Sequence, residues 1–192
     1  DKGKWGLPGG FVDLAVDHSL EEAIIRTLKA KTGVAPPYLE QLTTCGNDSR
    51  DKRGWSVTVC YTALIAHQAC EANIAAVADA RWVALAEAEQ LPLAFDHRDI
   101  IDLGRERLRQ KALYSIVPAY ALPETFTLPE LQDLHEALIG KPLQKKSFRR
   151  RIEQADLLMD TGEMRRDGGR PAILYRMKPT SGSFRFVRNL EE

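Results

Sequence analysis

Apolar positions along the chain follow a strand-like pattern in several early segments and helical spacing in most later ones. Leu39–Cys45 predicts a strand, Asn47–Gly54 a polar turn, and Trp55–Ala66 (WSVTVCYTALIA), dense in β-branched and aromatic residues, the strongest strand of the chain. Ala80–Leu85 (ARWVAL) predicts a further short strand. Asp96–Lys111 then reads as an amphipathic helix whose apolar members are Ile100, Ile101, Leu103 and Leu108. Ahead of these elements, Ser19-Leu20-Glu21-Glu22 fits a capping box, and Gly33 is placed to close the helix that it starts.

The later part of the chain has a different rhythm. Leu113–Leu128, with Pro118 and Pro123, reads as a connection. Thr127-Leu128-Pro129-Glu130 is a second capping-box pattern; Leu131, Leu134 and Leu138 predict one apolar face, and Gly140 a stop. In Gln144–Asp156 (QKKSFRRRIEQAD), Phe148, Ile152 and Ala155 lie at i, i+4 and i+7, which turns Lys145, Lys146, Arg149, Arg150 and much of Arg151 outward. Leu157–Asp160 and Ala172–Met177 (AILYRM) predict strands around a loop with Arg165, Arg166 and Arg170. Helix, short turn, basic helix and basic hairpin make the layout of a winged helix-turn-helix.

Composition adds a polarity to this order. The 192 residues balance 27 Lys/Arg against 27 Asp/Glu, yet residues 1–140 hold 14 basic against 20 acidic side chains, whereas 141–188 hold 13 against 5. An acidic body with a basic end suits a ligand-binding domain joined to a polyanion-binding one. No apolar run approaches the roughly 20 residues of a membrane helix, and no signal-like segment opens the chain, so a soluble, cytoplasmic protein with no membrane partner is expected. Cys45, Cys60 and Cys70 are odd in number and lack a CxxC or His-rich setting, which predicts reduced core or strand residues rather than disulfides or zinc. His18, His67 and His135 form no metal or triad pattern.

The stretch Gly9–Val34 (GGFVDLAVDHSLEEAIIRTLKAKTGV) resembles a Nudix box, the phosphate-binding loop and helix of nucleoside-diphosphate hydrolases. That pattern runs from a glycine through five residues to Glu, then seven residues to Arg-Glu-aliphatic-x-Glu-Glu-x-Gly-aliphatic. Here Arg26, the aliphatics and Gly33 match, while Thr27, Ala30 and Lys31 replace carboxylates. Counting back from Arg26 puts His18 at the first Glu, and counting forward from Gly10 puts Val16 there, so the loop is two residues longer and neither alignment restores an acid. Residues three or four apart share a helix face, and a methyl, a hydroxyl and an ammonium do not hold magnesium. Lys31 repels a cation and can itself neutralise a phosphate. Glu21 and Glu22 remain as substitutes, although their place at a helix start is accounted for by capping and the dipole. No metal site and no catalytic residue is therefore assigned.

Taken in order, LPGGFVD at Leu7–Asp13, the degenerate box, DKRGWSVTVCY at Asp51–Tyr61, LAFDH at Leu93–His97, FTLPELQDLHEALIG at Phe126–Gly140, SFRRRIEQADLL at Ser147–Leu158 and RPAILYRM at Arg170–Met177 resemble the Nudix-related transcriptional regulators of NAD metabolism, the NrtR-like proteins. The resemblance implies an α/β Nudix sandwich followed by a C-terminal winged helix-turn-helix: a sensing domain over residues 1–112, a linker over 113–127, a DNA-binding domain over 128–180 and a tail over 181–192. Nudix domains carry strands upstream of the box, so about 30 to 40 further residues are expected ahead of this segment.

Functionally the resemblance implies a homodimeric repressor of NAD synthesis or salvage genes that has no cofactor and senses ADP-ribose or a related nucleotide. Its nucleotide is expected near Gly9, Gly10, Arg26, Lys31, Arg53, Trp55, Phe95, Asp96 and His97. Its double-stranded, palindromic operator is expected at Lys145, Lys146, Ser147, Arg149, Arg150, Arg151, Arg165, Arg166 and Arg170. Two alternatives stand beside it: an ADP-ribose pyrophosphatase that recruits Glu21, Glu22 or Asp17 for metal and carries an accessory nucleic-acid-binding domain, and a nucleotide-dependent interaction protein whose basic domain binds RNA or a protein.

Overall fold

The computed structural model describes residues 3–51, 54–67, 80–166, 171–179, 181–183, 185–186 and 190. Two compact units divide the chain, residues 1–63 with 68–104 and residues 64–67 with 105–192. The division falls inside one helix, eight residues ahead of the boundary expected at 112.

In the first unit α1 (Leu20–Thr32) starts where Ser19 Oγ accepts the Glu22 N–H and ends at Gly33, whose φ of 71° is the left-handed conformation that glycine adopts without steric cost. The capping box is shifted by one residue, because the Glu22 carboxylate takes the His18 N–H (2.8 Å). Strands β1 (Tyr38–Asn47) and β2 (Ser56–Leu64) pair with one another. Leu42 of β1 and Cys60 of β2 bury against Ile100 of α3 (His97–Tyr114), with Cys45 packed beside them. Cys45 and Cys60 are free thiols, as expected; Cys70 lies outside the described residues.

The strand expected at Ala80–Leu85 does not form. Residues 80–84 are irregular, and Leu85–Ala88 is a short helix, α2. The nearby bridge is instead Trp5 with Leu93, through Trp5 N–H to Pro92 O (2.9 Å) and Ala94 N–H to Trp5 O (2.8 Å). Arg81 lies over the Trp5 ring and pairs with Glu87.

The second unit holds a 3-10 turn (Val117–Ala121), α4 (Leu128–Ile139), α5 (Lys145–Ala155), β3 (Leu158–Arg165) and β4 (Ala172–Met177). The α4 capping box is complete, with Thr127 Oγ1 on the Glu130 N–H and the Glu130 carboxylate on the Thr127 N–H, and Gly140 closes the helix. Its buried residues are Leu128, Leu131, His135 and Ile139; of the expected face Leu131 is fully buried, Leu138 packs half-buried against the core and Leu134 is half-buried, so the core side is wider than expected and takes in a histidine. Phe148 and Ile152 of α5 join that core, as their spacing predicts.

The segment expected as a connection is packed. Ile116, Ala119 and Phe126 are core residues, and Phe126 exchanges backbone hydrogen bonds with Tyr175 (2.9 and 2.8 Å), an isolated antiparallel bridge to β4. The segment expected as a tail also contributes, since Phe186 and Leu190 are buried and donate N–H bonds to Tyr114 O and Leu113 O. Strand β3 runs five residues past the predicted Asp160 and is antiparallel to β4, with a register shift between Asp160 and Met164.

Candidate nucleotide and nucleic-acid sites

The glycine loop of the first unit lies on α1. Gly10 approaches Thr27 so closely that an added Cβ would stand 3.0 Å from Thr27 Cγ2 and Oγ1, and one turn further on Lys31 Nζ donates to the Gly9 carbonyl. Arg26 forks onto Asp17 (Nε–Oδ1 2.7 Å, Nη2–Oδ2 2.6 Å) and gives a second Nη2 bond to Phe11 O (3.0 Å). That pairing holds the Asp17 carboxyl at a pKa of about 2. Expected as a diphosphate ligand, Arg26 is engaged by the loop itself and acts as its brace.

The acids available for metal are engaged as well. Glu21 accepts from Tyr61 Oη (2.8 Å), which lowers its pKa, and Glu22 serves the His18 N–H. Among the described residues no group of three or more His, Cys, Asp or Glu side chains is placed to hold a metal ion.

The residues around Phe95 make a second cluster. Arg50, outside the expected site residues, forks onto Asp96 (Nε–Oδ2 2.9 Å, Nη2–Oδ1 2.7 Å) and also donates to Thr58 Oγ1. The Arg50 side chain is 8% exposed. This bond lowers the Asp96 pKa and raises that of Arg50, so Asp96 is a structural anchor for Arg50 before it is a ligand contact. The signal for Arg50 was Asn47, whose Oδ1 accepts the Ser49 and Arg50 N–H groups and so fixes the turn.

His97 accepts the Leu7 N–H at Nδ1 (3.0 Å), and burial lowers its pKa, which keeps that nitrogen unprotonated. Phe95 is exposed and holds a left-handed φ of 51°, a costly conformation for a non-glycine residue. Trp55 is 68% exposed ahead of β2. Gly9 and Gly10 are exposed, and Arg53 lies outside the described residues.

On the second unit α5 shows a basic outer face. Lys145, Lys146 and Arg150 are exposed, and Ser147 is half-buried with its N–H capped by Gln144. Arg149 and Arg151, expected outward, are half-buried, and Arg149 Nε is buried without a hydrogen-bond partner among the described residues. Arg165 is drawn to Glu130 at the start of α4, which places it in the wing's support. Arg166 is exposed; Arg170 lies outside the described residues. His135 is fully buried, donates from Nδ1 to Ala112 O (2.8 Å), leaves Nε2 without a hydrogen-bond partner among the described residues and meets Phe148 edge-on. Burial holds its pKa down at about 4.

A glycine loop folded onto a helix, ahead of a helix pair with a basic second helix and a two-stranded wing, defines a Nudix domain joined to a winged helix in one chain. The NUDIX domain model matches residues 1–104, and the model of the NrtR DNA-binding winged helix domain matches residues 118–177. The chain belongs to the NrtR family. It is 44% identical over 190 residues to the ADPR responsive transcriptional repressor NtrR of Acinetobacter baylyi, covering 99% of this chain and 76% of that one. The structure of Shewanella oneidensis NrtR complexed with a 27mer DNA is similar at 63% identity and a TM-score of 0.92, over 98% of this chain and 86% of that one. The NUDIX domain of the same protein complexed with ADP ribose is 60% identical with a TM-score of 0.53, over 55% of this chain and 69% of that one.

Proposed function

We propose that this chain is a transcriptional repressor of NAD synthesis or salvage genes, which binds operator DNA through its winged helix and senses ADP-ribose in a Nudix domain that does not hydrolyse it. The observation that carries the reading is α5: Phe148 and Ile152 anchor it in the core while Lys145, Lys146 and Arg150 stay exposed, the division a recognition helix needs. The relatives described above, a repressor responsive to ADPR and structures complexed with DNA and with ADP ribose, support it.

The protein acts as a cytoplasmic homodimer on a palindromic site. Two recognition helices must match half-sites in adjacent turns of the duplex or multiples of a turn apart, so a nucleotide that favours one placement of them over another changes operator affinity. No cofactor takes part. Arg26, Asp17, Thr27 and Lys31 shape the glycine loop, and Phe95 and Trp55 offer exposed aromatic faces to a base.

A paired assay tests the reading. Fluorescence anisotropy measures binding to duplexes from upstream of NAD-synthesis genes with and without ADP-ribose, while phosphate-ester products are followed with magnesium present. Salt-sensitive binding that ADP-ribose alters, without turnover, is the expected result. Absent or salt-insensitive binding refutes the regulator, and hydrolysis at ordinary Nudix rates refutes the non-enzymatic sensor.

A further inference from the structure

We propose that Lys31 is a resident cation standing in for the divalent metal of a Nudix site, so that this chain binds its nucleotide's diphosphate without metal. The inference rests on the nucleotide-sensing reading above and adds how that site meets phosphate.

The Nudix fold implies divalent metal held by carboxylates on one face of α1, and the residues present do not fit it. At two of the box's glutamate positions stand Thr27, filled against Gly10, and Lys31, bonded to the Gly9 carbonyl. The nearby carboxylates have other work: Glu21 on Tyr61 Oη, Glu22 on the His18 N–H and Asp17 in the Arg26 fork. A divalent ion on this face would meet a fixed ammonium in place of acidic oxygens, and it would have to break one of those bonds to gain a ligand.

Lys31 also has what the task requires. Its bond to Gly9 ends on a neutral carbonyl, so its charge is not cancelled there as Arg26's is by Asp17. An ammonium carries three donors; with one on Gly9, two remain for phosphate oxygens beside the exposed glycines. The cation is covalently part of the helix and arrives without a bound water to activate, so the same replacement that keeps the diphosphate bound removes the metal's route to hydrolysis.

Calorimetric titration of the full chain with ADP-ribose, once in EDTA and once in magnesium, tests this. The same Kd in both buffers is expected, and a Kd that tightens with magnesium overturns the inference while leaving nucleotide sensing intact. Lys31→Ala is expected to weaken binding at least about tenfold, the loss of one charge-assisted hydrogen bond. Lys31→Glu is expected to bind weakly in EDTA and to recover with magnesium. Undiminished binding by a folded Lys31→Ala overturns the role of the ammonium. No binding of ADP-ribose in either buffer overturns the sensing reading, and this one with it.

Discussion

Arg26 and Asp17, nine positions apart, meet in a two-point fork of 2.7 and 2.6 Å that ties α1 to the turn preceding it. The same carboxylate accepts the Asp13 N–H at 2.7 Å, so one acid fastens both the helix and the loop. Asp17→Asn is expected to speed hydrogen exchange at the Asp13 amide and to weaken ADP-ribose binding. Unchanged exchange there would sink the brace. Because the folded pKa is depressed to about 2, the stabilisation is present above the unfolded carboxyl value and is lost as pH falls toward 2; an NMR titration of the Asp17 carboxyl reads that midpoint directly.

Two wing and helix arginines divide by partner. Arg150 is exposed on α5, whereas Arg165 is held by Glu130, whose other oxygen completes the α4 capping box. If Arg150 meets a phosphate, Arg150→Ala lowers the salt slope of operator binding by about 1. Arg165→Ala is expected to leave the slope unaltered and to lower thermal stability. Equal slopes for the two variants would remove the distinction.

His135 gives the second unit a pH dependence of definite sign. Its folded pKa of about 4 lies below the unfolded value near 6.5, so stability is full above pH 6.5 and declines as pH falls through the window to 4, by up to about 3 kcal/mol. His97, also depressed by burial, adds a decline of the same sign in the first unit. Urea unfolding of His135→Leu across this range is expected to show a flatter profile than the parent; a parallel profile would mean that the imidazole is not the titrating group.

Asp96→Ala strands the Arg50 guanidinium, which is mostly covered and, among the described residues, keeps its bond to Thr58 Oγ1. The loss of a charged hydrogen-bonded partner is expected to cost about 2 kcal/mol in chemical denaturation. Asp96→Asn, which retains one acceptor, is expected to cost less. A neutral result for Asp96→Ala would show that Arg50 finds water instead.

Much of the local architecture was legible. Ser19, Thr127, Gly33 and Gly140 mark their helix ends, and the β-branched run around Val57–Tyr61 forms a strand. Ala80–Leu85 misled because a short apolar run reads alike as strand, helix or irregular chain, and α4 also buries His135, a polar residue that an apolar count passes over, as a neutral ring bonded to Ala112 O. The packed stretches around Ile116 and Phe186 looked like linker and tail because neither has a period; they are buried by elements from elsewhere in the chain.

Caps, periodicity and residue identity act within a few positions, so the helix ends, most element types and the two-domain order were readable along the chain, while the strand expected at Ala80–Leu85 and the packing of the expected linker and tail were not. Which charges remain available depends on contacts between distant parts of the chain. Arg50 meets Asp96 across 46 positions and Arg165 meets Glu130 across 35, while Lys31 reaches back 22 to a carbonyl. A guanidinium or ammonium has the same formal charge whether it faces a carboxylate, a peptide oxygen or water, and its partner is set by how the backbone folds back on itself.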